Sequence, residues 1–475
     1  MPRPNLLFIF TDQQRQDTLR CYGNELMKTP NLDGLASESV VFNNAYVTQP
    51  VCTPSRSSIM TGLYPHTNEC TANNVPLTRE HQTIAEMLPE NEYQCGYFGK
   101  WHLGDEMVGQ HGFEADWVAT EDGYHEHATR ELFKTRHVSY YYFLKQHGLE
   151  PDTVSADGFP SFSRSFCCHL PKELTKPAFT VREANAFIER NKQRPFVAYV
   201  NFLEPHTPFH GPFDLMYDPA GLEFSPNFLV RDGADKPLRN RLLQQHYGND
   251  PEQYYRDNKA RYYGLVSLVD YYVGELLATL QACGLDDNTI VVFTSDHGDM
   301  MGDHALMHKT VQYEEAAKVP LLLRVPAWGS TQRFIEEPVS QVDLVPTLLE
   351  LMDCERPKCL EGYSLVPYLT DTGPLVNQNV FIEWQGADGF TQIEDAEWSQ
   401  DEQERAGLAE ARTVITPEGW KLNLRRDDLC ELYNLRDDPY ELENLYGHQE
   451  LTGIVSDLTA EIRKWQQRTQ DASEI

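Results

Sequence analysis

The sequence predicts an α/β protein with a mostly parallel β-sheet flanked by helices, followed by a smaller C-terminal α+β unit. Short β-branched or aromatic runs alternate with helical patterns along most of the chain. The length of 475 residues allows one large core and a second unit. From about residue 371 the alternation changes to short strands joined by hairpin-like turns. We therefore expect a larger unit over residues 1–370 and a smaller one over 371–475.

Five apolar runs in the first unit predict buried strands, each followed by polar residues. These runs are residues 5–10, 93–98, 196–202, 289–294 and 320–325. Helical patterns fall at residues 53–61, 82–88, 182–191, 259–283 and 342–352. Strand and helix alternation favours a parallel sheet, in which ligands bind beyond the carboxyl ends of the strands. The polar residues that follow the strands are therefore the first candidates for function.

The second unit is predicted from a different pattern, in which short strands follow one another without long helices between them. The strands are predicted at residues 379–384, 412–416, 420–424 and 431–434, with a final helix at 454–467. Trp384 in this unit, Trp117 and the aromatic run 140–143 could stack on sugar rings or belong to the core.

The charge and the apolar runs exclude several classes of function. The chain has 72 acidic and 40 basic residues, a formal net charge of −32, which disfavours nucleic acid, anionic membrane and long polyanions as partners. An anionic substrate then needs a local basic pocket. No apolar run approaches the roughly 18 residues of a membrane span. Met1 is not followed by a signal-peptide pattern, and the ten cysteines show no disulfide or zinc spacing, so we expect a cytoplasmic protein with reduced thiols.

Two clusters of polar residues follow predicted strands and suggest a metal site. Asp12 and Gln13 follow the first strand, and Asp296 and His297 follow the fourth. Either aspartate alone could simply cap a helix. Together the side chains offer two carboxylates, an amide oxygen and an imidazole, which suit Ca²⁺, Mg²⁺ or Mn²⁺.

A second motif centres on Cys52 in the segment Cys52-Thr53-Pro54-Ser55-Arg56. A cysteine at the start of a helix lies where free backbone N–H groups favour an anion, and proline is common in a first helical turn. These residues alone allow either a thiolate nucleophile or a buried structural cysteine. With the later Thr-Gly pair, the segment resembles the signature of the formylglycine-dependent type I sulfatases, in which this cysteine is converted to an aldehyde after translation.

The resemblance covers about residues 4 to 446, with its segments in the family's order. Further matching segments are Gly99-Lys100-Trp101-His102, Pro205-His206-Thr207-Pro208, Ser295-Asp296-His297-Gly298 and Glu431-Leu432-Tyr433-Asn434. The resemblance implies the fold of the alkaline phosphatase superfamily, with residues 1–370 as the catalytic domain and 371–475 as a C-terminal subdomain.

The resemblance also implies a set of metal ligands. Asp12, Gln13, Asp296, His297 and the formylglycine made from Cys52 would bind one divalent cation, with Ca²⁺ expected first and Mn²⁺ or Mg²⁺ as alternatives. Many members have aspartate at the position of Gln13, and some have asparagine at that of His297. These departures lower the fixed negative charge and leave the choice of metal open.

The remaining site residues are implied in the same way. Arg56 matches the arginine that holds the aldehyde hydrate, and Lys100 and His102 match the pair beside it. His206 and Lys309 match residues that grip the sulfate and face the leaving oxygen. Taken singly, each would more often be a surface charge or a packed loop residue.

The implied reaction is hydrolysis of a sulfate monoester to an alcohol and inorganic sulfate. The hydrated aldehyde, a geminal diol, supplies the attacking oxygen, and its second hydroxyl lets sulfate leave without another attack at sulfur. We expect a small sulfated carbohydrate as substrate, aryl sulfates as surrogates and a formylglycine-generating enzyme as partner during maturation. The alternatives are a phosphonate monoester or phosphodiester hydrolase of the same superfamily and a non-catalytic anion-binding homologue.

Overall fold

The computed structural model describes residues 3–121, 136–150, 153–154, 160–162, 169–231, 233–248, 250–376, 379–386 and 398–475. An eight-stranded sheet lies at its centre. Its strands in chain order are β1 (Asn5–Asp12), β2 (Val40–Phe42), β4 (Gln94–Gly99), β5 (Asp116–Ala119), β8 (Phe196–Pro205), β9 (Thr289–Ser295), β11 (Leu321–Arg324) and β12 (Arg333–Ile335). They are arranged in the order β12-β2-β11-β9-β1-β8-β4-β5.

The sheet is mostly parallel, as the sequence predicts. Strands β9, β1, β8, β4 and β5 run parallel to one another, β12 is parallel to β2, and β11 is antiparallel to both β9 and β2. Strand β1 is central, so Phe8 pairs with Tyr199 on one side and Val292 on the other. The carboxyl ends of β1, β8 and β9 therefore meet at one edge of the sheet.

The described residues also form three smaller sheets. A three-stranded sheet contains β3 (Ala45–Tyr46), β10 (Lys318–Val319) and β13 (Val339–Ser340), and a two-stranded one contains β6 (Thr153–Val154) and β7 (Pro160–Phe162). The C-terminal sheet is antiparallel and contains β14 (Val380–Trp384), β15 (Ala411–Ile415), β16 (Trp420–Arg425) and β17 (Glu431–Asn434). The predicted fold class is thus confirmed.

The α-helices flank these sheets. They are α1 (Pro30–Ser37), α2 (Cys52–Thr61), α3 (Pro65–Asn68), α4 (Ile84–Met87), α5 (Ser139–Gln146), α6 (Lys176–Asn191), α7 (Leu238–Tyr247), α8 (Glu252–Ala282), α9 (Glu314–Ala317), α10 (Leu344–Leu351), α11 (Val366–Leu369), α12 (Gln400–Leu408) and α13 (Thr452–Thr469). Helix α6 begins six residues before the predicted start at 182. The side chain of Thr175 caps it by accepting a hydrogen bond from the N–H of Ala178, and Pro177 lies in its first turn.

Two large apolar clusters cover the two faces of the central sheet. Along β1, Leu6 and Phe8 belong to one cluster, whereas Leu7 and Ile9 belong to the other. Successive side chains of a strand point to opposite faces, so a strand between two helical layers is apolar throughout. This explains the uninterrupted apolar runs of the sequence.

Most of the aromatic residues that could have bound sugar contribute instead to the core, whereas Tyr142 is exposed. Trp384 is fully buried, Tyr140 and Phe143 are buried, and Trp117 is half-buried among Tyr97 and Trp101. The eight cysteines in the described ranges carry free thiols, while Cys167 and Cys168 lie outside those ranges. Among the described helices, none has the length and apolar character needed to cross a membrane.

Candidate active site

The carboxyl ends of β1 and β9 bring together two pairs of predicted ligands. Asp12, Gln13, Asp296 and His297 are all fully buried there. Gln13 has a left-handed backbone (φ 69°), which turns the chain away from the strand direction. Its N–H donates to Oδ1 of Asp296 over 3.0 Å, so the two strand ends are joined directly.

Helix α2 places Cys52 against these strand ends. Cys52 is its first residue, and all ten residues of the helix are buried. The N–H of Thr53 donates to Oδ1 of Asn73 over 3.1 Å, which satisfies one of the free donors of the first turn. The helix ends at Gly62 in the left-handed conformation (φ 69°), where an added Cβ would lie 2.8 Å from a side-chain carbon of Leu360.

Four side chains converge into one cluster. One potential ligand atom from each of Asp12, Cys52, Asp296 and His297 lies within 4.8 Å of the other three. The Cys52 sulfur is 3.3 Å from Nε2 of His297 and 3.8 Å from Oδ1 of Asp12. Nδ1 of His297 donates to the Gly298 carbonyl over 2.8 Å, so Nε2 is the basic nitrogen of the neutral ring.

The guanidinium of Arg56 hydrogen-bonds to the carboxylates of both Asp12 and Asp296. Nε donates to Oδ2 of Asp296 and Nη2 to Oδ2 of Asp12, each over 2.8 Å. Nη1 donates to Oδ1 of Asn201, also over 2.8 Å. The Oδ2 atoms are thus taken by Arg56, and the Oδ1 atoms lie on the side of Cys52 and His297.

The turn that follows β4 places Lys100 beside Asp12. Nζ of Lys100 donates to Oδ2 of Asp12 over 2.6 Å. Burial would raise the pKa of Asp12, but Lys100, His206, Arg56 and Lys309 outweigh it and hold this pKa well below its usual range. Asp12 therefore remains a carboxylate.

His102 is held as a neutral imidazole. Burial, with the positive charges of Lys100 and Arg56, holds its pKa well below the usual value. Its Nε2 lies 2.9 Å from Oδ1 of Asn74, and this contact assigns the proton to Nε2 and the lone pair to Nδ1.

Lys309 contacts the other side of Cys52. Its Nζ is 3.0 Å from the Cys52 sulfur and 2.9 Å from Oε1 of Gln13. Burial and Asp12 raise the pKa of the Cys52 thiol, but Lys100, Lys309 and His297 outweigh them and lower it. The pKa of Lys309 is raised because Cys52 and Asp12 overcome its burial. The environment therefore stabilises negative charge at position 52.

A cavity of about 410 Å³ opens beside this group, and it reaches half-buried His206 and Lys309. Burial and the nearby Lys309 hold the pKa of His206 well below its usual value. The described lining residues are Gln13, Val51, Asn73, Asn74, His206, Thr207, Arg239, Leu243, Tyr247, His308, Lys309 and Thr310. A larger cavity of about 690 Å³ lies elsewhere, and none of the predicted site residues lines it. Three predicted site residues, Gln13, His206 and Lys309, line the smaller cavity.

Sequence reasoning named residues that the structure brings together, but it missed several that contact them. Asn201, Asn73 and Asn74 hydrogen-bond to Arg56, Thr53 and His102, and Asp299 accepts a hydrogen bond from Nε2 of Gln13. Asp299 and Asn201 stand close to predicted strand ends, which was the available signal. Nothing in the sequence pattern distinguishes Asn73 and Asn74 from ordinary loop residues.

A family model for sulfatases matches residues 4–354 of the chain. The chain belongs to the sulfatase family. A second model, for the C-terminal part of N-sulphoglucosamine sulphohydrolase, matches residues 302–468. Membership of this family makes the chain a sulfuric ester hydrolase, as the motif around Cys52 predicts.

Similar proteins agree with this assignment over nearly the whole chain, and a solved structure shares the fold. The uncharacterized sulfatase YidJ of Escherichia coli is 29% identical over 451 residues, covering 94% of this chain and 83% of that protein. An N-acetylglucosamine-6-O-sulfatase of Bacteroides thetaiotaomicron is 27% identical over 539 residues, covering 99% and 87%. The phosphonate monoester hydrolase of Silicibacter pomeroyi has a similar fold, with a TM-score of 0.79 at 24% identity, over 99% of this sulfatase and 96% of that chain.

Proposed function

We propose that this protein hydrolyses the sulfate monoester of a small sulfated carbohydrate to the alcohol and inorganic sulfate, after conversion of Cys52 to formylglycine. The position of Cys52 carries the proposal. Its sulfur lies between the cluster of Asp12, Asp296 and His297 and the ammonium of Lys309, at the end of a buried helix. The N-acetylglucosamine-6-O-sulfatase similarity supports a carbohydrate substrate.

The donor set around Cys52 fits a hard divalent cation. Two carboxylate Oδ1 atoms, Nε2 of His297 and the amide oxygen of Gln13 would hold it, with Ca²⁺ as the first candidate and Mn²⁺ or Mg²⁺ as alternatives. Burial would lower the pKa of His297, yet Asp296 outweighs it and raises this pKa, so the cluster attracts positive charge. A bound cation would polarise a sulfate oxygen and offset its charge.

Residues of this chain would act on the attacking oxygen and on the leaving oxygen of the ester. Formylglycine would supply, as its hydrate, the attacking oxygen and a second hydroxyl that permits release of sulfate. Nδ1 of neutral His102 would accept the proton of that hydroxyl. Arg56 and Lys100 would hold Asp12 ionised and fixed, and Lys309 and His206 would stabilise charge on the leaving oxygen.

Conversion of Cys52 is the test of this proposal. After co-expression with a formylglycine-generating enzyme, we expect peptide mass spectrometry to show an aldehyde at position 52 and the protein to hydrolyse para-nitrophenyl sulfate. Cys52→Ala should abolish turnover, whereas Cys359→Ala, at an exposed cysteine, should leave it unchanged. Full turnover by protein carrying only the unmodified thiol would contradict the proposal.

The rival activity is tested in the same assay. The similar fold of a phosphonate monoester hydrolase makes phosphonate monoesters and phosphodiesters the necessary comparison substrates. We expect kcat/KM to be higher for sulfate monoesters. A higher value for phosphonate monoesters would assign the chain to the rival reaction, and no turnover of either class would indicate an anion-binding protein.

A further inference from the structure

Helix α7 presents one face to the cavity beside Cys52. Arg239, Leu243 and Tyr247 all line this cavity and stand four residues apart on the helix. Residues at this spacing lie on the same side of a helix, so they form a continuous wall. The same cavity is lined by His206 and Lys309 of the proposed site. A substrate held by those two residues would therefore lie against α7.

The guanidinium of Arg239 is fixed in place. Its central carbon lies 4.5 Å from the ring centre of fully buried Trp384, a geometry in which the ring face attracts the cation. The first N–H groups of α7, those of Leu238 and Arg239, donate to the carboxylate of Asp428 over 2.8 and 3.1 Å. The helix start and the side chain of Arg239 are thus both held from the C-terminal unit.

The charge around the cavity favours anions. Among its described lining residues, Arg239 and Lys309 are cationic and none is a carboxylate. This is unusual in a chain with a net charge of −32, whose overall field repels anions. The sulfate to be cleaved needs Lys309 and His206, so a second cation in the same cavity implies a second anionic group. A cavity of about 410 Å³ lies within the range for small ligands.

We propose that this face of α7 is a specificity subsite, in which Arg239 binds a second anionic group of the substrate. Leu243 and Tyr247 contact the sugar ring between this group and the ester that is cleaved. A guanidinium binds a carboxylate or a sulfate through two parallel hydrogen bonds, so the second group is either of these. The inference rests on the sulfatase function proposed above and narrows its substrate to a carbohydrate with two anionic groups.

Three substrates with the sulfate ester at the same position test the subsite. They are a neutral hexose monosulfate, the corresponding uronate monosulfate and a hexose disulfate. We expect wild-type protein to have a kcat/KM at least about tenfold higher for one or both dianionic substrates, the typical effect of a charge-assisted hydrogen bond. Preference for the uronate identifies a carboxylate as the second group, and preference for the disulfate identifies a sulfate.

Substitution of Arg239 gives the decisive comparison. Arg239→Gln should reduce the ratio of kcat/KM between dianionic and neutral substrates by about 10- to 100-fold. Arg239→Lys keeps the positive charge but lacks the planar guanidinium, so it should retain part of the preference for dianionic substrates. It replaces Arg239→Gln in the test if that variant does not fold. The matched control is Arg241→Gln, whose guanidinium lies 5.2 Å from the Trp398 ring and does not line the cavity. This control should keep the wild-type ratio.

Binding without turnover provides a second measurement. In Cys52→Ala protein, calorimetry should show that Arg239→Gln weakens binding of the preferred dianionic substrate by about tenfold or more. Equal losses on neutral and dianionic substrates, or a wild-type protein without preference for a second anion, would overturn the subsite. Failure of wild-type protein to hydrolyse any sulfate ester would instead overturn the sulfatase function, and with it the subsite.

Discussion

The side chain of Gln13 accepts a hydrogen bond on one side and donates one on the other. Its Oε1 accepts from Lys309 over 2.9 Å, and its Nε2 donates to Oδ2 of Asp299. The second oxygen of Asp299 accepts from the N–H groups of Met301 and His308. A carboxylate at position 13 could not donate to buried Asp299. The amide of Gln13 is therefore complementary to both of its neighbours, Lys309 and Asp299.

Exchange of the donor tests this pairing. Gln13→Glu places two carboxylates side by side in a buried site, so we expect metal-free protein to lose about 1–3 kcal/mol of unfolding free energy. Adding Asp299→Asn returns a donor between the two groups and should recover most of the loss. Denaturant unfolding after treatment with a chelator measures both. A double variant no more stable than Gln13→Glu alone would show that this contact does not set the choice of residue.

Lys309 and His206 provide a prediction about the leaving group. Loss of a group that stabilises charge on the leaving oxygen matters more when that oxygen leaves with difficulty. Lys309→Ala and His206→Ala should therefore slow hydrolysis of a sugar sulfate more than that of para-nitrophenyl sulfate, which a series of aryl sulfates would show as a steeper dependence on leaving-group pKa.

The control for this experiment is Asn74→Ala, which removes a contact to His102 and should slow good and poor leaving groups alike. Equal losses in the Lys309 and His206 variants would place both residues at the sulfate or the nucleophile. This alternative has a structural basis, because Nζ of Lys309 lies 3.0 Å from the Cys52 sulfur.

At the scale of elements, the turn that follows β4 depends on one buried carboxylate. Glu106 accepts hydrogen bonds from the backbone N–H groups of Trp101, over 2.9 Å, and His102, over 2.6 Å. His102 has a left-handed backbone (φ 59°), a conformation that a residue with a side chain adopts only at a cost. Glu106 thus holds the turn that positions His102.

The pKa of Glu106 gives this turn a pH dependence. Burial raises this pKa from about 4.5 to about 8, despite the two N–H donors. The folded protein therefore binds a proton that the unfolded chain releases, so stability is full below about pH 4.5 and declines as pH rises through about 8, by up to about 1.4 kcal/mol per pH unit. Glu106→Gln should flatten the dependence of unfolding free energy on pH over this window. Glu90→Gln, at an exposed position, should not, and an unchanged slope in Glu106→Gln would contradict the prediction.

The elements differ in how far the sequence predicts them. The apolar runs predicted five of the eight strands of the central sheet, because a strand buried on both faces has no polar position to interrupt it; the short strands β2, β5 and β12 were not predicted. Helix α7 was not predicted, since Arg239, Leu243 and Tyr247 form a mixed stripe that faces a cavity rather than the core. The strand-end rule found Asp12 and Asp296. Contacts such as Arg56 with Asn201 join residues far apart in the chain and depend on the folded structure.

At the scale of the whole molecule, the C-terminal sheet supports the entrance to α2. We propose that the predicted boundary at residue 370 separates two units that pack against each other. Trp384 of β14 packs in one buried cluster with Val51, the residue before Cys52. The N–H of Glu383 also donates to the Thr48 carbonyl over 2.8 Å. The smaller unit therefore helps to fix the start of α2, where Cys52 lies.

Removal of this support should affect both stability and activity. Trp384→Ala leaves a cavity beside Val51, so we expect a loss of about 3–5 kcal/mol of unfolding free energy and slower hydrolysis of para-nitrophenyl sulfate. Denaturant unfolding and initial rates measure the two effects. Trp328→Ala, at a half-buried position of the larger unit, should cost less stability and leave the rate near wild type. Full activity in Trp384→Ala would show that the two units function independently.

The burial of helix α2 would also limit when the proposed conversion of Cys52 takes place. Cys52 is buried in the folded protein, where its sulfur contacts His297, a residue 245 positions later in the chain. At ribosomal rates of about 5–20 residues per second, that separation corresponds to roughly 12–50 seconds of synthesis. During this interval Cys52 is already part of the growing chain, whereas His297, which contacts its sulfur in the folded protein, has not yet been synthesised. We therefore propose that an enzyme that converts Cys52 acts on the nascent chain, so that faster translation would leave more of the protein with an unconverted thiol.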